Sequence, residues 1–213
     1  YNHEITGQVK WERFYGIPVV GNRIMFVLDR SGSMGKADKL NGVKRELTRI
    51  ALTFTEQKYF NVMFFNHGTK LWFQQKPYIL KATDSNLHRL DSFLISTSAE
   101  GGTKTEEAMY EVLIRLLPHA DIQTVFLLSD GLPNNDPDYV RYSIYHINRY
   151  LKTRINTIYI QEPLQESILA SSDSPRSHTP QLTADQFMKS IADMNDGLFK
   201  NITAEQAARG GKR

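Results

Sequence analysis

The sequence of 213 residues contains no cysteine, which excludes disulfide bonds, a cysteine nucleophile and thiolate-bound zinc within it. It has six histidines, and none of them is paired at the spacing of a metal-binding motif. No run approaches the roughly 18 apolar residues that a helix needs to cross a bilayer, and no basic and then apolar leader opens the chain. Any binding chemistry must therefore come from oxygen- and nitrogen-bearing side chains, without a membrane span in this segment.

The net charge is also small, only +3, and the lysines and arginines are spread along the chain. A nucleic-acid-binding protein usually concentrates positive charge on one face, so the composition does not favour that class. With 40% hydrophobic and 23% charged residues, the chain has the profile of one ordinary globular domain. It opens with Tyr1 and not with Met, so we expect it to be part of a larger multidomain protein.

Apolar runs alternate with amphipathic stretches along the chain, which is typical of an α/β fold. Strands are predicted at residues 23–29, 60–65, 124–129, 155–160 and 198–202, and a short antiparallel edge strand at 70–74. Helices are predicted at about 37–54, 85–95, 104–117, 138–152 and 183–196. The sequence thus predicts a doubly wound, mostly parallel sheet of about six strands with helices on both faces.

The predicted boundaries leave one domain with extensions. Residues 1–22 are predicted to form an N-terminal extension that packs on the domain, which itself spans 23–203. Within it, residues 161–182 are rich in Ser, Pro, Gln and Glu and are predicted to form a long polar loop. Residues 204–213 are predicted to be a solvated C-terminal tail.

Three predicted loops carry oxygen-bearing side chains where strands end or helices begin. Asp29, Ser31 and Ser33 follow the first long strand; Thr103 follows two glycines before a helix, and Asp130 follows the strand at 124–129. Because the carboxyl ends of parallel strands meet at one edge of a sheet, we expect these side chains to lie together. Carboxylates and hydroxyls are hard ligands that suit Mg²⁺, Mn²⁺ or Ca²⁺ better than zinc or copper.

The segments Phe-Val-Leu-Asp-Arg-Ser-Gly-Ser-Met, Gly-Gly-Thr and Leu-Leu-Ser-Asp-Gly together resemble the metal-ion-dependent adhesion site (MIDAS) of von Willebrand factor A (vWA) domains. The resemblance extends over about residues 22–203 and implies the Rossmann-like vWA fold. It implies that Ser31, Ser33 and Thr103 contact Mg²⁺ (or Mn²⁺ or Ca²⁺) through their hydroxyls. Asp29 and Asp130 would act mainly through bound waters.

The same resemblance implies a function. This function is that of a non-enzymatic adhesion or scaffold module for protein–protein interaction. An Asp or Glu of a partner protein would complete the coordination shell of the metal. The resemblance also favours a secreted or extracytoplasmic location. The sequence identifies neither the partner nor the physiological cation.

Simpler structural roles stay open for each site residue. Asp, Ser and Thr are common helix caps and turn formers, and paired glycines serve tight turns. Arg30 lies inside the motif, where it could assist in binding an acidic partner, but we expect its side chain to point to solvent.

Two other function classes remain as alternatives. A magnesium-dependent phosphatase or transferase could use Asp29 as its nucleophile, but its usual second carboxylate is replaced by Ser31, so the proton-transfer group is missing. Nucleic-acid binding could use the helix at 138–152, which is rich in Tyr and Arg, although a solvated amphipathic face is the favoured interpretation.

Overall fold

The computed structural model describes residues 12–161 and 182–210 of the chain. The strands are β1 (Arg13–Phe14), β2 (Ile17–Pro18), β3 (Arg23–Asp29), β4 (Tyr59–Phe65), β5 (Thr69–Leu71), β6 (Leu80–Lys81), β7 (Thr124–Ser129), β8 (Arg154–Gln161) and β9 (Phe199–Thr203). The helices are α1 (Lys39–Ala51), α2 (Asp84–Ile95), α3 (Thr105–Tyr110), α4 (Leu117–Ala120), α5 (Pro137–Leu151), α6 (Ala184–Met194) and α7 (Ala204–Arg209). A 3₁₀ segment at Gly32–Asp38 precedes α1, and a π-helical turn at Glu111–Leu116 joins α3 to α4.

The central sheet has the order β5–β4–β3–β7–β8–β9, and β6 also pairs with β4. Strands β4, β3, β7, β8 and β9 are parallel, whereas β5 and β6 run antiparallel to β4. The chain leaves β3 for a neighbour on one side and later returns to β7 on its other side. Since ligands of open α/β sheets bind where the strand order reverses, the carboxyl end of β3 is the position of interest.

Strand β3 is apolar from Ile24 to Leu28, and both of its faces are covered. Phe26 belongs to a core cluster with Val43 of α1, whereas Val27 belongs to a second cluster with Val112, and all four side chains are inaccessible to solvent. Alternate residues of a strand point to opposite faces, so these two clusters lie on the two sides of the sheet. The predicted fold class, a mostly parallel sheet between two helical layers, is confirmed.

Two local predictions need correction. The structure has two short antiparallel strands beside β4, not one, because the two-residue β6 is too short to produce a sequence pattern. Helix α1 begins at Lys39 and not at residue 37, because Ala37 and Asp38 have left-handed backbone angles (φ 50° and 58°) that an α-helix cannot contain.

The prediction of a solvated tail is wrong for residues 204–210. Thr203 caps α7: its backbone N–H donates to Gln206 Oε1 (2.9 Å) and its hydroxyl accepts from Gln206 N (3.2 Å). Ala204 and Ala207 are buried against the domain. This short helix depends on a cap and small alanines, and it therefore lacks the apolar stripe that identifies longer helices.

Other predictions fall on residues that are only partly described. Residues 1–11, 162–181 and 211–213 lie outside the described ranges, and with them most of the predicted polar loop and half of the N-terminal extension. Within the described part of that extension, Phe14 and Val19 are buried in the core. None of the helices in the described part of the chain is both long and apolar enough to cross a membrane.

Candidate metal centre

Two neighbouring strands deliver the two carboxylates. Asp29 is the last residue of β3 and Asp130 directly follows β7, and Leu28 pairs with Leu128 in the register of these strands. Both aspartates are almost inaccessible to solvent (0% and 3% exposed). The sheet therefore brings together two acidic residues that are a hundred positions apart in sequence, as the sequence predicts.

Hydrogen bonds join four of the five predicted residues into one chain of contacts. Ser31 N donates to Asp29 Oδ1 (2.7 Å), the turn that an Asp side chain favours two residues on. The hydroxyl oxygens of Ser31 and Ser33 are 3.0 Å apart. Ser33 Oγ then donates to Asp130 Oδ1 at 2.8 Å. These oxygens share one small polar space at the carboxyl edge of the sheet.

The fifth residue, Thr103, is held beside this space by its loop. Gly32 N donates to Gly101 O (2.9 Å), which ties the loop of Thr103 to that of the two serines. Asn134 makes two hydrogen bonds to the backbone of Thr103. Its side-chain Oδ1 accepts from Thr103 N (3.0 Å), and its backbone N–H donates to Thr103 O (2.9 Å). Gly101 has φ +72°, and a Cβ there would lie 2.2 Å from His67 Nδ1, so the turn requires glycine.

A second set of side chains supports the carboxylates. Ser129 Oγ donates to Asp29 Oδ2 and Lys39 Nζ to Asp130 Oδ2, both at 2.5 Å. Sequence reasoning did not assign either residue. Ser129 could have been found, since it adjoins Asp130 at the end of a strand, but nothing in the local sequence distinguishes Lys39 from a surface lysine.

Arg30 does not point to solvent, so that prediction is wrong. Its side chain is only 13% exposed and forms an ion pair with Glu100 (Nη1 to Oε1, 2.7 Å). Its guanidinium also donates to Ser98 O (3.2 Å) and Asn66 Oδ1 (3.3 Å). Five donors on one planar group suit it to bridge the loops that flank the site. The Arg30 guanidinium in turn lowers the pKa of Glu100.

The electrostatics of the site favour a cation. Burial raises the pKa of Asp29 from 3.8 to about 6, and the nearby charge of Asp130 adds to that effect. The hydrogen bonds that Asp29 accepts from Ser129 and Ser31 act in the opposite direction. Two carboxylates in a closed space repel one another, and a bound cation would relieve this cost.

The donor set fits a hard cation of magnesium size. In an octahedral shell with bonds of about 2.1 Å, adjacent ligand oxygens lie about 3.0 Å apart. The hydroxyl oxygens of Ser31 and Ser33 are 3.0 Å apart, so these two could be adjacent ligands of such an ion. Over residues 12–161 and 182–210, no three His, Asp or Glu side chains cluster as metal ligands do, so hydroxyls would have to complete this set.

The helix considered for nucleic-acid binding, α5, has its surface cations engaged within the helix itself. The guanidinium of Arg141 lies 4.3 Å from the ring centre of Tyr142, and that of Arg149 lies 4.6 Å from that of Tyr150. Val140 and Ile144 face the core. This arrangement is that of the solvated amphipathic face that the sequence favours.

Sequence comparison relates this chain to known proteins. The profile of the von Willebrand factor type A domain matches residues 24–132, a range that contains all five predicted site residues. The chain is 30% identical to mouse inter alpha-trypsin inhibitor heavy chain 4 over 125 residues, 55% of this chain and 13% of that protein. It is also 30% identical to human inter-alpha-trypsin inhibitor heavy chain H3 over 127 residues, 56% of this chain and 14% of that protein. The match thus spans about one seventh of these relatives.

Solved structures with the same fold include a von Willebrand factor type A protein from Catenulispora acidiphila. It superposes with a TM-score of 0.67 at 15% identity, over 92% of this chain and 42% of that one. The manganese-loaded TRAP protein of Plasmodium vivax superposes with a TM-score of 0.52 at 17% identity, over 90% of this chain and 72% of that one. At such identities the likeness establishes the shared fold.

Proposed function

The chain belongs to the von Willebrand factor type A domain family, and on that premise we propose that it is a divalent-cation-dependent protein-binding module with a MIDAS. The observation that carries the proposal is the continuous set of contacts from Asp29 through Ser31 and Ser33 to Asp130. Thr103 is held beside it by Asn134. The module would serve adhesion or scaffolding by binding an acidic residue of a partner protein.

In this proposal the hydroxyls of Ser31, Ser33 and Thr103 hold Mg²⁺, or Mn²⁺ or Ca²⁺, while Asp29 and Asp130 hold its waters. The bound cation supplies electrostatic attraction for a carboxylate. Neutral hydroxyls neutralise little of its charge, and an octahedral ion keeps waters that a ligand can replace. Ser129 and Lys39 orient the two carboxylates from behind, as outer residues do at metal sites.

The superposed TRAP protein is manganese-loaded, which supports a divalent cation in a domain of this fold. We propose a non-enzymatic role, because Ser31 stands where a phosphatase of this type needs a second carboxylate as acid or base. A location outside the cytoplasm and membership of a longer protein are part of the same proposal. Both rest on the family resemblance and on relatives of which the match covers 13–14%.

Calorimetric titration with Mn²⁺ tests the metal site. We expect saturable one-to-one binding that is at least tenfold weaker in Thr103→Val, which replaces the hydroxyl by a methyl of similar size. Thr105→Val is the matched control: the Thr105 hydroxyl is buried and has no hydrogen-bond partner within the described residues, so its loss should leave Mn²⁺ affinity unchanged. Equal binding by wild type and Thr103→Val would refute the proposed ligand set.

A second measurement tests capture of an acid. Bound Mn²⁺ enhances the relaxation of water protons in proportion to its exchangeable waters. We expect acetate to reduce this enhancement in the wild type, because its carboxylate displaces a water, whereas acetamide at the same concentration should not. Turnover of an aryl phosphate that is lost in Asp29→Asn would instead support the phosphatase alternative.

A further inference from the structure

Lys39 is a fully buried lysine at the candidate metal centre. Its side chain is 0% exposed, and its Nζ lies 2.5 Å from Oδ2 of Asp130, whose own side chain is 1% exposed. Lysine is seldom buried completely, because removing an ammonium group from water is costly unless it is paired. Hydrophobic residues would fill such a position at lower cost, so a buried pair calls for an explanation beyond stability.

The local backbone directs Lys39 inward. Ala37 and Asp38 are left-handed, so the chain bends sharply just before α1 begins at Lys39. The side chain of Asp38 faces outward and binds Arg45 at 2.7 Å. Lys36, three residues earlier, is exposed. The bend therefore separates two lysines of the same segment, one at the surface and one in the site.

The Asp130 carboxylate is divided between two kinds of partner. Its Oδ1 accepts from Ser33, a proposed metal ligand, and its Oδ2 accepts from Lys39. Counting Asp29 as ionised, the site carries a net charge of −1 with the Lys39 ammonium included, and would carry −2 without it. With a divalent cation bound, the net charge of the site would be +1 with Lys39 and 0 without it. Only with Lys39 does the loaded site attract an anion by its net charge.

We propose that the Lys39 ammonium is a permanent counter-ion of the metal centre. It shares Asp130 with the divalent cation, weakens the binding of that cation, and leaves the loaded site positively charged for an acidic partner. This inference rests on the proposed function. Lys39 would then lower the affinity of the site for the metal and raise the affinity of the loaded site for a carboxylate.

Mn²⁺ calorimetry on Lys39→Met and Lys39→Gln tests the inference. Both variants remove the charge and keep most of the length of the side chain, and we expect each to bind Mn²⁺ at least about tenfold more tightly. At an effective dielectric constant near 20, the repulsion between a unit charge and a nearby cation is larger than this change requires. Lys36→Met removes the same charge at the surface and should change the affinity less than about threefold, because water and salt screen it. Acetate should bind more weakly to the Mn²⁺-loaded Lys39 variants than to the wild type.

The outcomes separate this inference from the proposed function. If wild type binds Mn²⁺ and Thr103→Val does not, but folded Lys39 variants bind no more tightly than wild type, the inference alone is overturned. If wild type binds no Mn²⁺, the proposed function fails, and the inference that rests on it fails as well. Failure of both Lys39 variants to fold with and without Mn²⁺ would make Lys39 a core residue only and overturn it.

Discussion

At the scale of single residues, Asp29 is in an unfavourable position for a charged group. It is fully buried at the end of β3, and the hydrogen bonds that it accepts from Ser31 N and Ser129 Oγ compensate only in part for the loss of water. Burial raises its pKa to about 6, so the carboxylate is harder to ionise in the folded domain than in the unfolded chain. The free-energy cost of burying Asp29 therefore depends on the pH, and on whether a cation is bound.

We expect the metal-chelated domain to lose stability as the pH rises from about 4 to above 6. A group whose pKa is raised on folding stabilises the fold fully below its unfolded value and loses that contribution as the pH passes its folded value, which is about 6 for Asp29. Asp29→Asn stays neutral and its amide oxygen can still accept from Ser129 Oγ, so it should be more stable than wild type at pH 8 by up to about 3 kcal/mol. Urea unfolding in EDTA at pH 4, 6 and 8 measures this; parallel pH profiles would contradict it.

The site residues that the sequence predicts and those that it misses differ in what determines where their side chains point. Asp29 and Asp130 could be predicted because a strand fixes where its last residue lies, and the strand pattern is visible in the sequence. Lys39 and Arg30 could not, because the directions of their long side chains depend on features that the strand pattern does not display. The direction of Lys39 depends on the left-handed bend at Ala37, and that of Arg30 on its pairing with Glu100, seventy positions away.

At the scale of elements, the C-terminal helix α7 lies unusually close to α1. A Cβ added at Gly42 of α1 would be 2.0 Å from Ala207 O and 2.6 Å from Ala208 Cα, which are backbone atoms that cannot move alone. Glycine is present here because the two helix backbones approach so closely. The close approach also explains why a six-residue helix without an apolar stripe is held in place.

Gly42→Ala should therefore destabilise the domain by about 1–3 kcal/mol, the usual cost of overpacking, although alanine is the better helix former. The added methyl would push α7 away from α1, so amide exchange in residues 204–209 should accelerate. Gly68→Ala is the control, because a Cβ there would have no atom within 4 Å. Urea unfolding of both variants measures the difference, and a neutral Gly42→Ala would show that the helices separate at no cost.

At the scale of the whole molecule, the site exists only when the sheet is complete. Its loops follow β3, precede α3 and follow β7, and they are joined by the contacts of Gly32 with Gly101 and of Thr103 with Asn134. Helical periodicity and apolar runs predicted the parallel sheet whose carboxyl edge brings these loops together. The spacing of their oxygens, however, depends on contacts between distant segments, which the sequence does not display.

Cation binding should consequently stabilise the whole domain and not one loop. A ligand that binds only the folded state adds about 2.7 kcal/mol at one hundred times its Kd, which for a chain of this size corresponds to a rise in Tm of about 5–10 °C. We expect this rise on adding Mg²⁺ or Mn²⁺ to chelated protein in calorimetric melts, and its reversal by EDTA. Thr105→Val should show the full rise and Thr103→Val little of it. An equal rise in both variants would mean that the cation stabilises the fold from another place, because only Thr103 stands at the edge where β3 and β7 deliver their carboxylates.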